Sequence, residues 1–321
     1  MVKLKIAFTA ILLVLALSGR ALRAAEVSCA LTWGDNNGAH REIDRQKQGF
    51  LSDFPSGRIP SPTTCLEMMI RGQLVAGDAA KVALMIRSNH PFLDHVLLWS
   101  SGGSVEEALK IGRYIRRELI ETQAPSEMHT KLIGAGTLID PRRPLDKVDY
   151  TLCDEGITCH CASACFLIWA AGYHRVGNAI GLHRPSTQSM SFANLPPDQA
   201  SGLYREALVE IDHYLTEMEV PRRYIEMMID TSSNDIRWLE YFDAESLQDV
   251  PSVAEWLSAG CGSMSKSEEN VLLELIGAKD LLSSQGKKVR DELSVRSIDI
   301  DVCQAKKTRN SRDAVGEFSV K

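Results

Sequence analysis

The sequence predicts an α/β fold, and three observations support that prediction. Twice within the first 120 residues, a short apolar run rich in strand formers is followed by a turn and a helical pattern. A third apolar run, at 179–183, is terminated by Pro185 and preceded by a short apolar helix. This alternation of strands with helices is typical of the α/β class.

The first two strand-then-helix steps carry recognisable helix starts. Asp78 is expected to cap the first helix, and Ser104 with Glu107 is expected to form a capping box on the second. The predicted elements are, in order, a strand at 66–70, a helix at 78–88, a strand at 95–99 and a helix at 105–120.

The rest of the chain divides at about residue 262, where the composition shifts. Residues 122–157 carry Pro, Gly and charge without a sustained period, which predicts a long surface excursion. Further elements are a short helix at 163–172, a strand at 179–183, helices at 198–219 and 221–230, and a helix starting at 243–247. We expect 26–262 to form the main domain and 263–321 a C-terminal α+β extension, with a helix at 265–282, an edge strand at 297–302 and a disordered tail over the last fifteen residues.

The N-terminus predicts export. Lys3 and Lys5 precede an apolar run at 6–17 that is too short to span a bilayer, and small residues follow it. We therefore interpret 1–25 as a signal peptide cleaved near 21–25, and expect a periplasmic or secreted protein. No other segment approaches about 18 uninterrupted apolar residues, so no membrane span is expected in the mature chain.

The cysteine count agrees with export, because an even number in an exported chain favours disulfides. The eight cysteines are Cys29, Cys65, Cys153, Cys159, Cys161, Cys165, Cys261 and Cys303. Candidate pairs are Cys153 with Cys159 or Cys161, Cys29 with Cys65, and Cys261 with Cys303. No metal site is predicted, since the spacings around His160 fit no common zinc pattern. A net charge of −6 without a long basic run argues against nucleic acid as a partner.

One serine stands at a predicted strand-to-helix junction, in "HCASACFLIWAAG" at 160–172. Free N–H groups at a helix start lie beside Ser163, although a serine there can equally be a helix cap. The diglycine of "SSGGS" follows another strand and lets the backbone approach a ligand closely. A histidine, His183, ends the third strand. Together these features indicate acyl transfer at a serine.

These residues resemble a known family, the Clp-type serine peptidases. "LLWSSGGSVEEALKIG" resembles that family's "NSPGGSV", "CASACFLIWAAG" resembles "AASMGAFLLAAG", "IGLHRP" resembles "MIHQP", and "IDTSSNDIRWLEYFDAESL" resembles "RDTERDRFLSAPEA". The likeness covers roughly 66–250 and is nearest to exported, cysteine-flanked members with "C-x-SAC". It implies a Clp/crotonase-like superhelix of stacked ββα units.

The resemblance also assigns roles. Ser163 would be the nucleophile, His183 the base, and Asp235 the acid that orients it, with Asp230 as the alternative acid. Backbone N–H groups of Gly103 and Ala164 would form the oxyanion hole. The implied reaction is hydrolysis of a peptide bond through an acyl-serine intermediate, without a cofactor.

The partners follow from the same resemblance. The substrate would be a peptide or an already unfolded protein, because an exported enzyme has no ATP-driven unfoldase to supply it. In this family the helix corresponding to 198–219 joins rings, so a homo-oligomer is one expected arrangement.

Three alternatives stay open. The chain can be a catalytically inactive Clp-like scaffold that binds a peptide or partner protein; it can carry out acyl-CoA chemistry, which shares the fold; or Lys131 can replace His183 as the base. Trp99 and Trp169 are expected in the core, and His174 and Arg175 on the surface.

Overall fold

The computed structural model describes residues 24–32, 60–126, 160–186, 190, 192, 194–278 and 283–315. Within these ranges the chain forms a mixed α/β structure with eight strands and nine helices. The strands are β1 (Glu26–Thr32), β2 (Cys65–Arg71), β3 (His95–Trp99), β4 (Glu121–Gln123), β5 (Cys161–Ala162), β6 (Arg175–Val176), β7 (Ile180–Leu182) and β8 (Arg237–Trp238). The helices are α1 (Asp78–Asn89), α2 (Val105–Arg117), α3 (Ala164–Trp169), α4 (Pro197–Glu217), α5 (Arg222–Asp230), α6 (Tyr241–Ser246), α7 (Pro251–Cys261), α8 (Lys266–Gly277) and α9 (Ser284–Val315). The α/β class is thereby confirmed.

The strands form two sheets that meet at the end of β3. The larger sheet has the order β1-β2-β3-β4-β6, in which β1 is antiparallel and the other neighbours pair in parallel. The smaller sheet has the order β5-β7-β8, with β8 antiparallel to β7. A parallel bridge between Ser100 and Cys161 joins them. This bridge places the turn after β3 beside the start of α3.

The core is built around the short helix α3, all six of whose residues are buried. A helix that is apolar on every side belongs in a protein interior. Trp99 and Trp169 lie in the core, as predicted. The apolar stripe of α4 is also buried at Ile211 and Leu215, whereas Leu203, nearer its start, is 37% exposed.

The helix starts differ from the predicted caps. Gly77 is the N-cap of α1, and Asp78 is the first helical residue, whose carboxylate accepts a hydrogen bond from the Val75 N–H. Ser104 does cap α2 through the Glu107 N–H. The Glu107 carboxylate, however, accepts hydrogen bonds from the N–H groups of Gly77 and Ala79 at the start of α1. The predicted capping box is therefore wrong, because this buried carboxylate stabilises the neighbouring helix.

Two predicted elements in the interior of the chain are corrected, and one helix was missed. The excursion predicted to begin at 122 includes β4, which pairs in parallel with β3, and its residues 127–157 lie outside the described residues. The helix predicted to start at 243–247 is the end of α6. A further helix, α7, was not predicted.

The C-terminal region is helical where the structure describes it, so the predicted α+β extension is wrong. Residues 297–302 lie inside α9, and the helix continues to Val315 through part of the tail predicted to be disordered. The six residues continue a helix of 32 residues, so their local alternation did not decide their structure. The last turns of α9 are held in place by burial, since Thr308 and Arg312 are almost fully enclosed.

Three disulfides are present among the described residues. They join Cys29 to Cys65, Cys161 to Cys165, and Cys261 to Cys303. The first and third are pairs that the sequence analysis named. Cys161 is bonded to Cys165 and not to Cys153, and both Cys153 and Cys159 lie outside the described residues. Such a set of disulfides is typical of a protein that folds in an oxidising compartment.

The predicted signal peptide lies almost wholly outside the described residues. Its last two positions are in the fold: Ala24 bridges Gln73, and Ala25 is 3% exposed in the core. Cleavage after residue 25 would remove both contacts, whereas cleavage earlier in the 21–25 window preserves them. In the part of the chain that the structure describes, no helix has the length and apolarity needed to cross a membrane.

Candidate functional site

The first part of the candidate site is the turn that follows β3. The Gly102 N–H donates to the Ser100 Oγ at 3.0 Å, and that hydroxyl lies 3.3 Å from the Gly102 carbonyl oxygen. Ser100 is fully buried, so its hydroxyl holds the turn from the inside. Both glycines have a positive φ, 101° at Gly102 and 129° at Gly103, which residues with a side chain rarely adopt.

The same turn lies directly against Ser163. A Cβ placed on Gly102 would be 2.6 Å from the Ser163 Cβ and 2.9 Å from the Ala164 nitrogen. A Cβ on Gly103 would instead meet the Leu74 carbonyl oxygen at 2.2 Å. Each glycine therefore permits a different close approach, and the one at Gly102 brings the turn against the predicted nucleophile.

Ser163 connects β5 to α3 in a constrained backbone conformation, with φ 59° and ψ −126°. Its N–H donates to the Gly181 carbonyl at 3.0 Å, which fixes the residue to β7. Its side chain makes no capping hydrogen bond to α3. Although Ser163 occupies the N-cap position, its hydroxyl is not used as a cap.

Two backbone donors sit at this junction. Among the hydrogen bonds of the described residues, neither the Gly103 N–H nor the Ala164 N–H has an acceptor. Ala164 is the first residue of α3, and the first N–H groups of a helix have no partner within it. These are the two N–H groups that the resemblance assigns to an oxyanion hole.

His183 follows β7 and is partly exposed. Its Nδ1 lies 2.8 Å from the Arg184 carbonyl oxygen. Because a carbonyl can only accept, Nδ1 carries the proton and Nε2 is the basic nitrogen. Within the described part of the chain, no hydrogen bond joins His183 to Ser163.

Neither candidate acid is hydrogen-bonded to the histidine among the described residues. Asp230 ends α5 and Asp235 lies in the following loop, and both are exposed. The loop itself is close, since the Arg184 N–H donates to the Thr231 carbonyl at 3.0 Å. No hydrogen bond between described residues connects either carboxylate to His183, so the structure does not choose between the two acids.

An aromatic contact that was not predicted joins His160, the residue before β5, to Trp238 of β8. The His160 ring meets the Trp238 ring edge-on, with 5.2 Å between centroids. Trp238 pairs with Gly181, where an added Cβ would be 3.0 Å from both the Trp238 indole and the Ala162 Cβ. Burial lowers the pKa of His160, which favours its neutral form. The position of His160 next to the cysteines was the only signal in the sequence, and it pointed to metal binding and not to an aromatic contact.

Arg175 corrects another prediction, because it is 2% exposed and not on the surface. Its guanidinium donates to the carbonyl oxygens of Gly172, Leu247 and Met218. Burial lowers the pKa of Arg175 to about 9, so it stays charged at neutral pH. These three hydrogen bonds offset the cost of burying the Arg175 charge. No sequence pattern indicated that Arg175 is buried.

Cys161 and Cys165 are bonded to each other and so offer no thiolate to a metal. Lys131, the alternative base, lies outside the described residues.

Comparison with known proteins gives no family for this chain. No protein-family model matches it, and no curated protein matches its sequence.

Proposed function

We propose that this protein is an exported serine hydrolase that cleaves peptide bonds through an acyl-serine intermediate, on a Clp/crotonase-like superhelix. One observation carries the proposal: the diglycine turn after β3 lies against Ser163, so closely that a Cβ added to Gly102 would be only 2.6 Å from the serine Cβ. The N–H groups of Gly103, in this turn, and of Ala164, at the start of α3, have no acceptor among the described residues. Donors placed before the reaction at the point where negative charge develops are a large source of catalysis.

The proposed reaction uses this geometry in two steps. His183 Nε2 takes the proton of the Ser163 hydroxyl as the oxygen attacks the peptide carbonyl, and the two N–H groups receive the charge on the carbonyl oxygen. The imidazolium then returns the proton to the leaving amine, and water hydrolyses the acyl-serine. The Arg184 carbonyl already fixes the tautomer that this requires, and Asp235 or Asp230 would add charge stabilisation. Ser163 and His183 must come within hydrogen-bond distance when substrate binds, as catalytic contacts often tighten only then.

Labelling with a fluorophosphonate probe tests the proposal. We expect the full chain to be labelled, Ser163→Ala to abolish labelling, and His183→Ala to slow it by about 10²–10⁴-fold. Ser201→Ala is the matched control, because Ser201 is an exposed serine on α4. A folded protein that is never labelled, or one whose label survives Ser163→Ala, contradicts the proposal.

A second candidate function is a catalytically inactive scaffold that binds an extended peptide or a partner protein. The observation that favours it is the position of His183, whose Nδ1 bonds to the adjacent Arg184 carbonyl and which makes no hydrogen bond to Ser163 within the described residues. The scaffold predicts peptide binding without labelling, and the same affinity in Ser163→Ala. The hydrolase predicts labelling and release of a cleaved peptide.

A homo-oligomer forms part of the proposal through α4. This helix is anchored in the core at Ile211, Tyr214 and Leu215, and it exposes Leu203 by 37% and Val209 by 56%. Light scattering of the purified chain measures the assembly directly, and Val209→Glu should dissociate an assembly that buries Val209.

A further inference from the structure

The disulfide between Cys161 and Cys165 spans Ser163. Cys161 lies in β5 and Cys165 in the first turn of α3, and both side chains are fully buried. Their Cα atoms are 5.2 Å apart, with four residues of sequence separation. The covalent ring therefore contains Ala162, Ser163 and Ala164 and nothing else of the chain.

The residue inside this ring has a backbone conformation that needs support. Ser163 has φ 59°, a value that L-residues with a side chain rarely adopt outside strained or functional positions. On the strand side, its N–H is fixed to Gly181. On the helix side, α3 has only six residues, and helices this short are not stable by their own hydrogen bonds. The disulfide links these two sides.

The small size of this ring favours a role in positioning Ser163 over a role in stabilising the whole fold. The other two disulfides close sequence separations of 36 and 42 residues, against 4 for this one. In the chain-entropy description, a shorter loop restricts the unfolded chain less. Of the three, the Cys161–Cys165 bond therefore contributes least to global stability, yet it is the one that encloses the candidate nucleophile.

We propose that the Cys161–Cys165 disulfide is a positioning device that holds the Ser163 hydroxyl at the angle needed for attack. The inference rests on the proposed serine chemistry and adds Cys161 and Cys165 as positioning residues. Without the bond, β5 and α3 still pack, but Ser163 can relax toward an ordinary helix cap. Its hydroxyl then turns toward the α3 N–H groups and away from the substrate.

The test separates binding of a probe from its reaction. We expect Cys161→Ala/Cys165→Ala to lower the limiting rate of fluorophosphonate labelling, kinact, by about 10–100-fold, because small misplacement of a nucleophile costs that much. The probe concentration giving half that rate, KI, should change by no more than about twofold. A bond that only stabilised the fold would lower the melting temperature and the fraction labelled, and leave kinact of the folded molecules unchanged.

Two further variants keep the result interpretable. Cys29→Ala/Cys65→Ala removes a disulfide between β1 and β2 and should leave kinact unchanged. Cys161→Ala/Cys165→Val restores nearly the side-chain volume of the pair in the buried site, and should fold at least as well as the double alanine while still labelling slowly.

Each outcome has one meaning. An unchanged kinact in the folded Cys161/Cys165 double variants overturns the inference. Failure of both variants to fold also overturns it, because the bond would then be needed for the fold itself. If the wild-type chain itself is not labelled, the proposed function fails, and that failure is visible before any cysteine variant is made.

Discussion

The two ends of strand β3 are built in opposite ways. At its carboxyl end, the contacts are made by backbone groups, by glycines and by the buried Ser100 hydroxyl. At its amino end, the contacts are made by charged side chains. His95, the first residue of β3, lies between two carboxylates, with Nδ1 2.6 Å from Asp94 and Nε2 3.3 Å from Glu121.

The amino end also anchors the end of the chain. Arg309 of α9 lies 3.8 Å from the Asp94 carboxylate, and Arg312 donates to the Leu93 carbonyl at 2.6 Å. These contacts cross the boundary predicted at residue 262, as does the Cys261–Cys303 disulfide. The charged cluster thus holds α9 against the sheet.

The charges reinforce one another at this end. Loss of hydration alone would lower the pKa of His95, but the Glu121 and Asp94 carboxylates outweigh it and raise the pKa to about 10. For Asp94, loss of hydration would raise the pKa, and His95 with the two arginines instead lowers it to about 2. His95 is therefore protonated and Asp94 is ionised near neutral pH.

If the proposed function is correct, this sheet keeps the reacting groups at one end and the anchoring charges at the other. Loops at the carboxyl ends of parallel strands commonly hold ligand sites, and here that end depends on side chains being absent. The opposite end depends on side chains being present and paired. Substitutions at one end should change labelling, and substitutions at the other should change stability.

The largest effect is expected from Gly102→Ala. The added Cβ would lie 2.6 Å from the Ser163 Cβ, at a residue whose φ is 101°, so both the turn and the serine must shift. We expect labelling to fall by at least about 10²-fold and the free energy of unfolding by about 1–3 kcal/mol, measured by probe kinetics and urea denaturation. Gly202→Ala is the control, since a Cβ there meets nothing within 4 Å, and it should label normally. Normal labelling of Gly102→Ala would show that the carboxyl end of β3 does not control labelling, and the proposed difference between the two ends of the strand would be wrong.

His95→Ala should have a smaller effect, confined to stability. Removing a partly buried imidazolium from between two carboxylates should cost about 2–3 kcal/mol in the free energy of unfolding near pH 6, with labelling of the folded protein unchanged. His213→Ala, at an exposed histidine on α4, should cost almost nothing. A loss of labelling in folded His95→Ala would show that the amino end contributes to the reaction.

The His95→Ala variant also tests how the stability contribution of His95 depends on pH. The folded pKa of about 10 lies above the ordinary value of 6.5, so the contribution of His95 is complete below pH 6.5 and is lost as the pH rises toward 10. The stability gap between the wild-type chain and His95→Ala should therefore narrow between these values. A gap that stays constant from pH 6 to pH 10 contradicts the ionised cluster.

The smallest effect is expected from Glu107→Gln. Glu107 is a buried carboxylate in the first turn of α2, and it accepts hydrogen bonds from the N–H groups of Gly77 and Ala79 at the start of α1, at 3.0 and 2.8 Å. Loss of its charge should cost about 1 kcal/mol of stability, because charge-assisted bonds are stronger than neutral ones, and should leave labelling unchanged. Urea denaturation detects the change, and a labelling defect would place this carboxylate in the reaction.

The sequence by itself determined the α/β class and the order of the first elements. The strands at β2 and β3 and the helices α1 and α2 fall where apolar runs and helical periods predicted them, because both signals are local. The position of Ser163 between a strand and a helix followed from the same kind of local pattern. Two disulfide pairs were named correctly, although pairing depends on folding.

Only the tertiary structure decided the rest, since the deciding contacts join residues distant in sequence. The Glu107 carboxylate turns to α1, Arg175 is buried against three carbonyls, and 297–302 is helical within α9. The approach of Gly102 to Ser163 depends on a bridge between two sheets that no local pattern contains. Local propensity sets which elements form, whereas burial and long-range hydrogen bonding determine which of their groups meet.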